Sequence, residues 1–233
     1  MNTDHEFFLM QLADSFFPSG MFGMSNGLES LAKHQRIKND KDVASYIEQQ
    51  IEFQLMPCDC MIFLAAINAI ENKNIDELVE IDNRFYSMRL VKEVRNASTR
   101  SGSQILNCII QMASDKKENI TAKQFQKKII SNKTPGTHPV CYAMAANLFG
   151  IPPESGIRMI LYSFSQNIVA AAIRLGIVDH VSGQKILTLL SVKINDISKN
   201  IKNKSLDDIW QLTPITDIFQ MIHEHDSSRM FIT

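Results

Sequence analysis

Apolar residues recur at steps of three and four along most of the chain, which is the period of an α-helix with one buried face. Val43, Ile47 and Leu55 belong to the first long series. Pro57 interrupts that series, so we expect two helices or one kinked helix, with Asp59 capping the second part. Period-two runs of β-branched and aromatic residues are almost absent. The pattern predicts an all-α fold.

The middle of the chain continues this pattern. Residues 74–95 predict one helix with an apolar stripe and a basic face, the latter formed by Arg84, Arg89, Lys92 and Arg95. Such a face is usually solvated, although it can also dock an acidic partner. Residues 96–103 are small and polar, so they form either a loop or a helix with a close-packed seam. A short amphipathic helix is expected over residues 122–130.

Proline, glycine and capping residues divide the second half of the chain. Pro139 suits a first helical turn and Gly150 suits the residue just past a helix end. Long helices are then predicted over residues 154–177 and from Ser182 onward. Ser205 and Asp208 resemble a capping box for a short helix that includes Trp210, and Pro214 opens the last segment. We predict a single domain over residues 1–233 with roughly eight to eleven helices.

Composition excludes several classes of function. The net charge of −1 gives no basic excess for nucleic acid. No P-loop, dinucleotide-binding or HExxH pattern is present, and no catalytic set emerges from the spacing of the residues, so we expect no enzyme. The start, MNTDHEFF, is acidic rather than signal-like, and no run of 18 apolar residues occurs. These features favour a cytoplasmic protein without a membrane segment.

Two short motifs contain candidate metal ligands. Cys58 and Cys60 have the wrong spacing for redox or zinc motifs and are better explained as buried small residues. His223 and His225 point about 200° apart on a helix and could share a metal only if the segment is not helical. A solvated or partner-contacting segment is the simpler interpretation.

Two stretches are not explained by a helical core alone. Residues 12–29, LADSFFPSGMFGMSNGLE, combine aromatic residues, methionines and glycines, as in a binding surface or a buried plug. Residues 214–233 place apolar residues between polar ones and end in RMFIT, as in a segment that fills a groove. We expect partner contacts in both stretches.

The same stretches resemble the urease accessory protein UreF family. The first matches its N-terminal signature, and LYSFSQNIVAAAIRL over residues 161–175 matches its long-helix motif. Further matches fall, in order, at Asp59, Arg95, Ser98, Gly102, His138, Pro139, Ala145, Gly150, Ile151, Gly183, Gln184, Pro214, Asp217, His223, Glu224, Arg229 and Phe231. The chain departs from the pattern at residues 176–180 and 232–233.

This resemblance implies an all-helical homodimer that bridges UreD/UreH and the GTPase UreG. Such a protein regulates GTP-dependent nickel insertion into apo-urease without a cofactor of its own, although nickel can pass transiently. The candidate partner-binding residues are Phe22, Glu29, Arg174, Gln184, His223, Glu224, Arg229 and Phe231. Two alternatives stay open: a ligand-binding protein or enzyme with a pocket between helices, and a nickel carrier that uses His223 or His225.

Overall fold

The computed structural model describes residues 5–113, 119–201 and 206–232, and of Phe22 it describes the backbone only. Within these ranges the chain forms eleven α-helices and no strand, which confirms the all-α prediction. The helices are α1 His5–Ala13, α2 Leu28–Lys33, α3 Asp40–Gln50, α4 Cys60–Glu71, α5 Ile75–Met88, α6 Lys92–Met112, α7 Asn119–Ile130, α8 His138–Leu148, α9 Pro153–Arg174, α10 His180–Asn200 and α11 Pro214–Glu224.

The core surrounds α8, which packs against α4 and α6, while α9 packs against α10. Gly102 of α6 lies directly against the turn that leads into α8. A Cβ on Gly102 would lie 2.1 Å from the carbonyl oxygen of Gly136. The small residues 96–103 are therefore the close-packed helical seam and not a loop.

Of the two expected arrangements, the structure contradicts two separate helices split at Pro57, and it also contradicts Asp59 as a cap. Helices α3 and α4 are joined without a break by a π-helical segment, Ile51–Asp59, and Asp59 makes no capping hydrogen bond. In a π-helix each N–H pairs with the carbonyl five residues earlier, and Pro57 has no N–H with which to make that bond. The carbonyls of Phe53 and Pro57 accept from the N–H groups of Leu212, at 2.8 Å, and Trp210, at 3.3 Å. These two bonds dock the segment leading into α11 on the π-helical segment.

The prediction that residues 74–95 form one helix with a basic face is wrong. Helix α5 ends at Met88 because Arg89 adopts an extended conformation, and Arg95 of the next helix donates to the carbonyls of Arg89 and Leu90. Arg89 itself is buried and forms an ion pair with Asp59. The four basic side chains therefore do not share one solvated surface.

Other predicted boundaries move slightly. Helix α10 begins at His180 and not at Ser182, because Asp179 accepts from the N–H of Ser182 and caps the helix. The expected short helix with Trp210 is only a 3₁₀ turn, Leu206–Asp208, and Ser205 lies outside the described residues. The stretch Asp40–Glu71 is long and apolar enough to cross a membrane, but 67% of its most apolar window is buried, as in a core helix.

Candidate functional site: a clasped C-terminal helix

The two unusual stretches of the sequence meet in the structure. Helix α11 packs against α2, which begins directly after the glycine-rich N-terminal segment, and against α6. Gly27, at φ +90°, leaves room for this contact, since a Cβ there would lie 3.1 Å from Cγ of Gln220. The first and last parts of the chain thus form one surface region.

The inner face of α11 is polar. Its buried residues are Thr216, Gln220 and His223. Thr216 accepts a hydrogen bond from Gln50 at 2.8 Å, and just before the helix Thr213 donates to Gln54 at 3.2 Å. Because buried polar groups are costly unless they are paired, these bonds fix the orientation of α11 more narrowly than apolar contacts would.

His223 lies at the centre of a charged cluster that we call the clasp, made of Glu29, Glu93, His223 and Arg229. The ring of His223 is fully buried, with Nε2 3.0 Å from Glu29 and Nδ1 3.3 Å from Glu93. Both nitrogens thus face carboxylate oxygens, and both can donate only when the ring carries two protons. Arg229 donates to Glu93 at 2.6 Å, so two acidic side chains face two basic ones.

Glu29 also holds the backbone of the C-terminal segment. Its carboxylate accepts from the N–H of Met230 at 2.7 Å and of Phe231 at 3.1 Å, in addition to His223. We call residues 226–232 the strap. At its start Asp226 pairs with Lys33 at 3.0 Å, which lowers the pKa of Asp226. One carboxylate on α2 therefore organises most of the strap.

Phe231 is the apolar anchor of the strap. Its side chain is buried, and the guanidinium carbon of Arg174 lies 4.3 Å from the centre of its ring. A cation over an aromatic face is favourable by about 0.5–2 kcal/mol. Arg174, at the end of α9, thus contributes to holding the strap.

The structure brings together five of the eight candidate residues: Glu29, Arg174, His223, Arg229 and Phe231. Gln184 is exposed on α10 and Glu224 is the half-buried last residue of α11, and neither belongs to the clasp. The side chain of Phe22 lies outside the described part of the chain, as does Thr233. Sequence reasoning missed Glu93, which follows the helix break at Arg89 and has no motif of its own.

The segment that contains His223 and His225 is helical up to Glu224. His223 lies in α11 and His225 is the residue that caps its end, so the two do not converge. Within residues 5–113, 119–201 and 206–232 no group of three His, Cys, Asp or Glu side chains is arranged to hold a metal ion. Cys58 and Cys60 are buried, and burial raises the pKa of Cys58 to about 12.

The outer face of α11 is apolar and uncovered. Ile215 is 65% exposed and Ile218 is 55% exposed, while Met221 and Ile222 are 42% and 37% exposed. We call these four residues the outer face. Leu212 and Trp210, on the segment before the helix, extend it and are also exposed. An exposed apolar surface of this extent typically marks a protein contact.

A cavity of about 100 Å³, lined by both polar and apolar side chains, lies between the N-terminal segment, the π-helical segment and helices α6, α8 and α9. The buried pair Asp59–Arg89 and the ring of His138 line it. Burial raises the pKa of Asp59, and the Arg89 guanidinium opposes that rise. Burial, together with Arg89, lowers the pKa of His138 to about 4.

These features define the class of the protein: an all-α bundle whose last helix is held by a polar clasp and exposes an apolar face. The sequence model of the UreF family matches residues 37–191. This chain therefore belongs to the UreF family, as its motifs predicted.

Three relatives cover nearly the whole chain, and each is named "Urease accessory protein UreF". The protein of Trichodesmium erythraeum (strain IMS101) is 26% identical over 223 residues, 96% of this chain and 94% of that protein. That of Photorhabdus laumondii subsp. laumondii is 28% identical over 96% of each chain. That of Actinobacillus pleuropneumoniae serotype 5b is 24% identical over 97% of each chain.

Proposed function

We propose that this chain is a non-catalytic adaptor in urease maturation, which bridges UreD/UreH and the GTPase UreG. In this role it regulates GTP-dependent insertion of nickel into apo-urease in the cytoplasm. Nickel is the cargo of the assembly, and we assign no residue of this chain to hold it. Family membership and the outer face of α11 support the proposal.

The exposed outer face of α11 is the observation that most directly supports the adaptor function. Four apolar side chains on one short helix are left in solvent, although the same helix buries polar ones. Burying a partly exposed isoleucine or methionine in an interface contributes about 1–2 kcal/mol. The clasp fixes the orientation of this face before a partner arrives, which reduces the entropy lost on binding. We assign the face to UreD/UreH.

Bridging and dimer formation require further surfaces. Helix α10 exposes Val181, Leu189 and Val192, and we propose this side as the contact between two copies of the chain. UreG then meets a surface that includes the N-terminal segment, where Phe16 is 95% exposed. The dimer and the two partner contacts would thereby use different parts of the molecule.

A three-component retention assay tests the proposal. Immobilised UreD/UreH should retain UreG only when this chain is added, and the retained UreG should hydrolyse GTP at an altered rate. Binding of this chain to neither protein, with its helical circular dichroism intact, would exclude the adaptor function.

The cavity supports a second candidate, a ligand-binding protein. Its lining mixes apolar side chains with the hydrogen-bonding groups of Gln54, Ser98 and His138, as small-molecule sites do. A panel of small uncharged metabolites should then raise the melting temperature saturably, and Ala97→Val, which narrows the cavity, should reduce that increase. No stabilisation by any compound would remove this candidate.

A further inference from the structure

A short stretch of the N-terminal segment forms part of the wall of the cavity. Residues 18–23 lie between two buried side chains, Phe17 and Met24, and contribute Ser19 and Met21 to the lining. Just beyond this stretch, the side-chain nitrogen of Asn26 is buried and has no hydrogen-bond partner among the described residues. Residues 18–23 therefore adjoin the polar groups of this cavity.

The two ends of the N-terminal segment are fixed independently of the strap. The hydroxyl of Tyr142 on α8 donates to the carbonyl of Leu12 at 2.7 Å, and that of Tyr46 on α3 donates to the carbonyl of Asn26 at 2.5 Å. Phe17 and Met24 anchor the chain between these points. The anchors on both sides of residues 18–23 thus do not involve the strap.

The middle of the segment is held by contacts of a different kind. The N–H of Ile232, in the strap, donates to the carbonyl of Gly23 at 2.9 Å. A Cβ on Gly23 would lie 3.1 Å from Cδ1 of Ile232, so the strap rests directly on this glycine. The carboxamide of Gln104 also lies against Gly20. Backbone bonds within 18–24 are local, such as Met24 N–H to the carbonyl of Met21 at 3.1 Å.

We propose that residues 18–23 form a lid over the cavity and that the strap keeps this lid closed. The clasp and Phe231 hold the strap, and the strap holds Gly23. Releasing the strap therefore opens the cavity while the helical core stays folded. Since His223 belongs both to α11 and to the clasp, displacement of α11 acts on the lid through the same contacts. The mechanism is a property of the isolated chain and does not depend on the adaptor function.

The reaction rate of a thiol placed inside the cavity measures how readily a reagent enters the cavity. Ala97 lines the cavity and is buried, so Ala97→Cys introduces the reporter, and Cys108→Ser removes the half-buried native thiol. The strap is released by the double substitution Arg229→Ala and Phe231→Ala. A small uncharged disulfide reagent should then react with the introduced thiol about tenfold faster or more, as local opening becomes more frequent.

Two controls accompany this measurement. Cys58, Cys60 and Cys141 are buried in the core and should stay unreactive, which separates lid opening from general unfolding. Met221→Ala on the outer face changes the same helix without touching the clasp, and it should leave the rate unchanged.

Hydrogen exchange provides a second readout that needs no introduced thiol. In the Arg229→Ala/Phe231→Ala protein, amides of residues 226–232 and of the lid should both exchange faster, while those of α4 and α8 keep their protection. An unchanged thiol rate and unchanged lid exchange with a released strap would overturn the proposal. So would a strap that stays protected after both substitutions.

Discussion

Helices α8 and α11 have the same length, eleven residues, and opposite construction. Nine residues of α8 are buried, almost all of them apolar. Three residues of α11 are buried, and all three are polar. Helix α8 is held by close packing on α4 and α6. Helix α11 is held by directed hydrogen bonds and leaves its apolar side in solvent. The apolar packing of α8 therefore stabilises the fold, whereas the clasp holds α11 so that its outer face stays exposed.

The largest effect is expected where α8 meets α6. In Gly102→Ala the new methyl group would collide with the backbone of Gly136 and Thr137, which cannot move aside as a side chain can. We expect a loss of about 3–5 kcal/mol in the free energy of unfolding, measured by urea denaturation. Gly150→Ala is the matched control: it has open space but a φ of +68°, so its cost should be about 1–2 kcal/mol. Equal losses would contradict this account of the seam.

The same change, methionine to alanine, can be made in both helices to compare how much each side chain stabilises the fold. Met144 in α8 is 2% exposed and Met221 in α11 is 42% exposed. Met144→Ala should lower the free energy of unfolding by about 2–4 kcal/mol, because it leaves a cavity in a packed core. Met221→Ala should change it by less than about 0.5 kcal/mol. Chemical denaturation of both variants decides this, and a large loss for Met221→Ala would mean that the outer face stabilises the fold.

His223, which is buried, and His138, which is half-buried, also differ in their surroundings. His223 faces two carboxylates, whereas His138, at the start of α8, has its pKa lowered to about 4 by burial and by the positive charge of Arg89. Between pH 6.5 and 4 the unfolded chain binds a proton at this position that the folded chain does not. Proton binding by the unfolded chain favours unfolding. The contribution of His138 to the free energy of unfolding is therefore highest near pH 7 and falls as the pH drops towards 4.

This contribution can be measured with His138→Gln. Between pH 7 and 4.5 the wild-type protein should lose about 2 kcal/mol more of its free energy of unfolding than the variant does. At pH 7 the variant is expected to be less stable, because His138 stacks on Tyr142 at 4.7 Å. Parallel pH profiles for the two proteins would contradict the assignment.

Helical periodicity was enough to predict the fold class, and local signals placed the start of α11 at Pro214 and the end of α8 near Gly150. The break at Arg89 was not predicted, because it depends on a buried pair with Asp59, 30 residues away. Five candidate residues meet around the clasp, but Glu93 was missed for the same reason. Local periodicity does not show which distant charges will face each other.

The central claim is that the outer face of α11 is a docking surface for UreD/UreH and not part of the core. The most direct measurement is the affinity of UreD/UreH for Ile218→Glu, with Ile130→Glu as control, since Ile130 is 74% exposed at the end of α7. We expect Ile218→Glu to weaken binding by about 100-fold or more without loss of helicity, and Ile130→Glu to leave it unchanged. Equal affinities for both variants would contradict the claim.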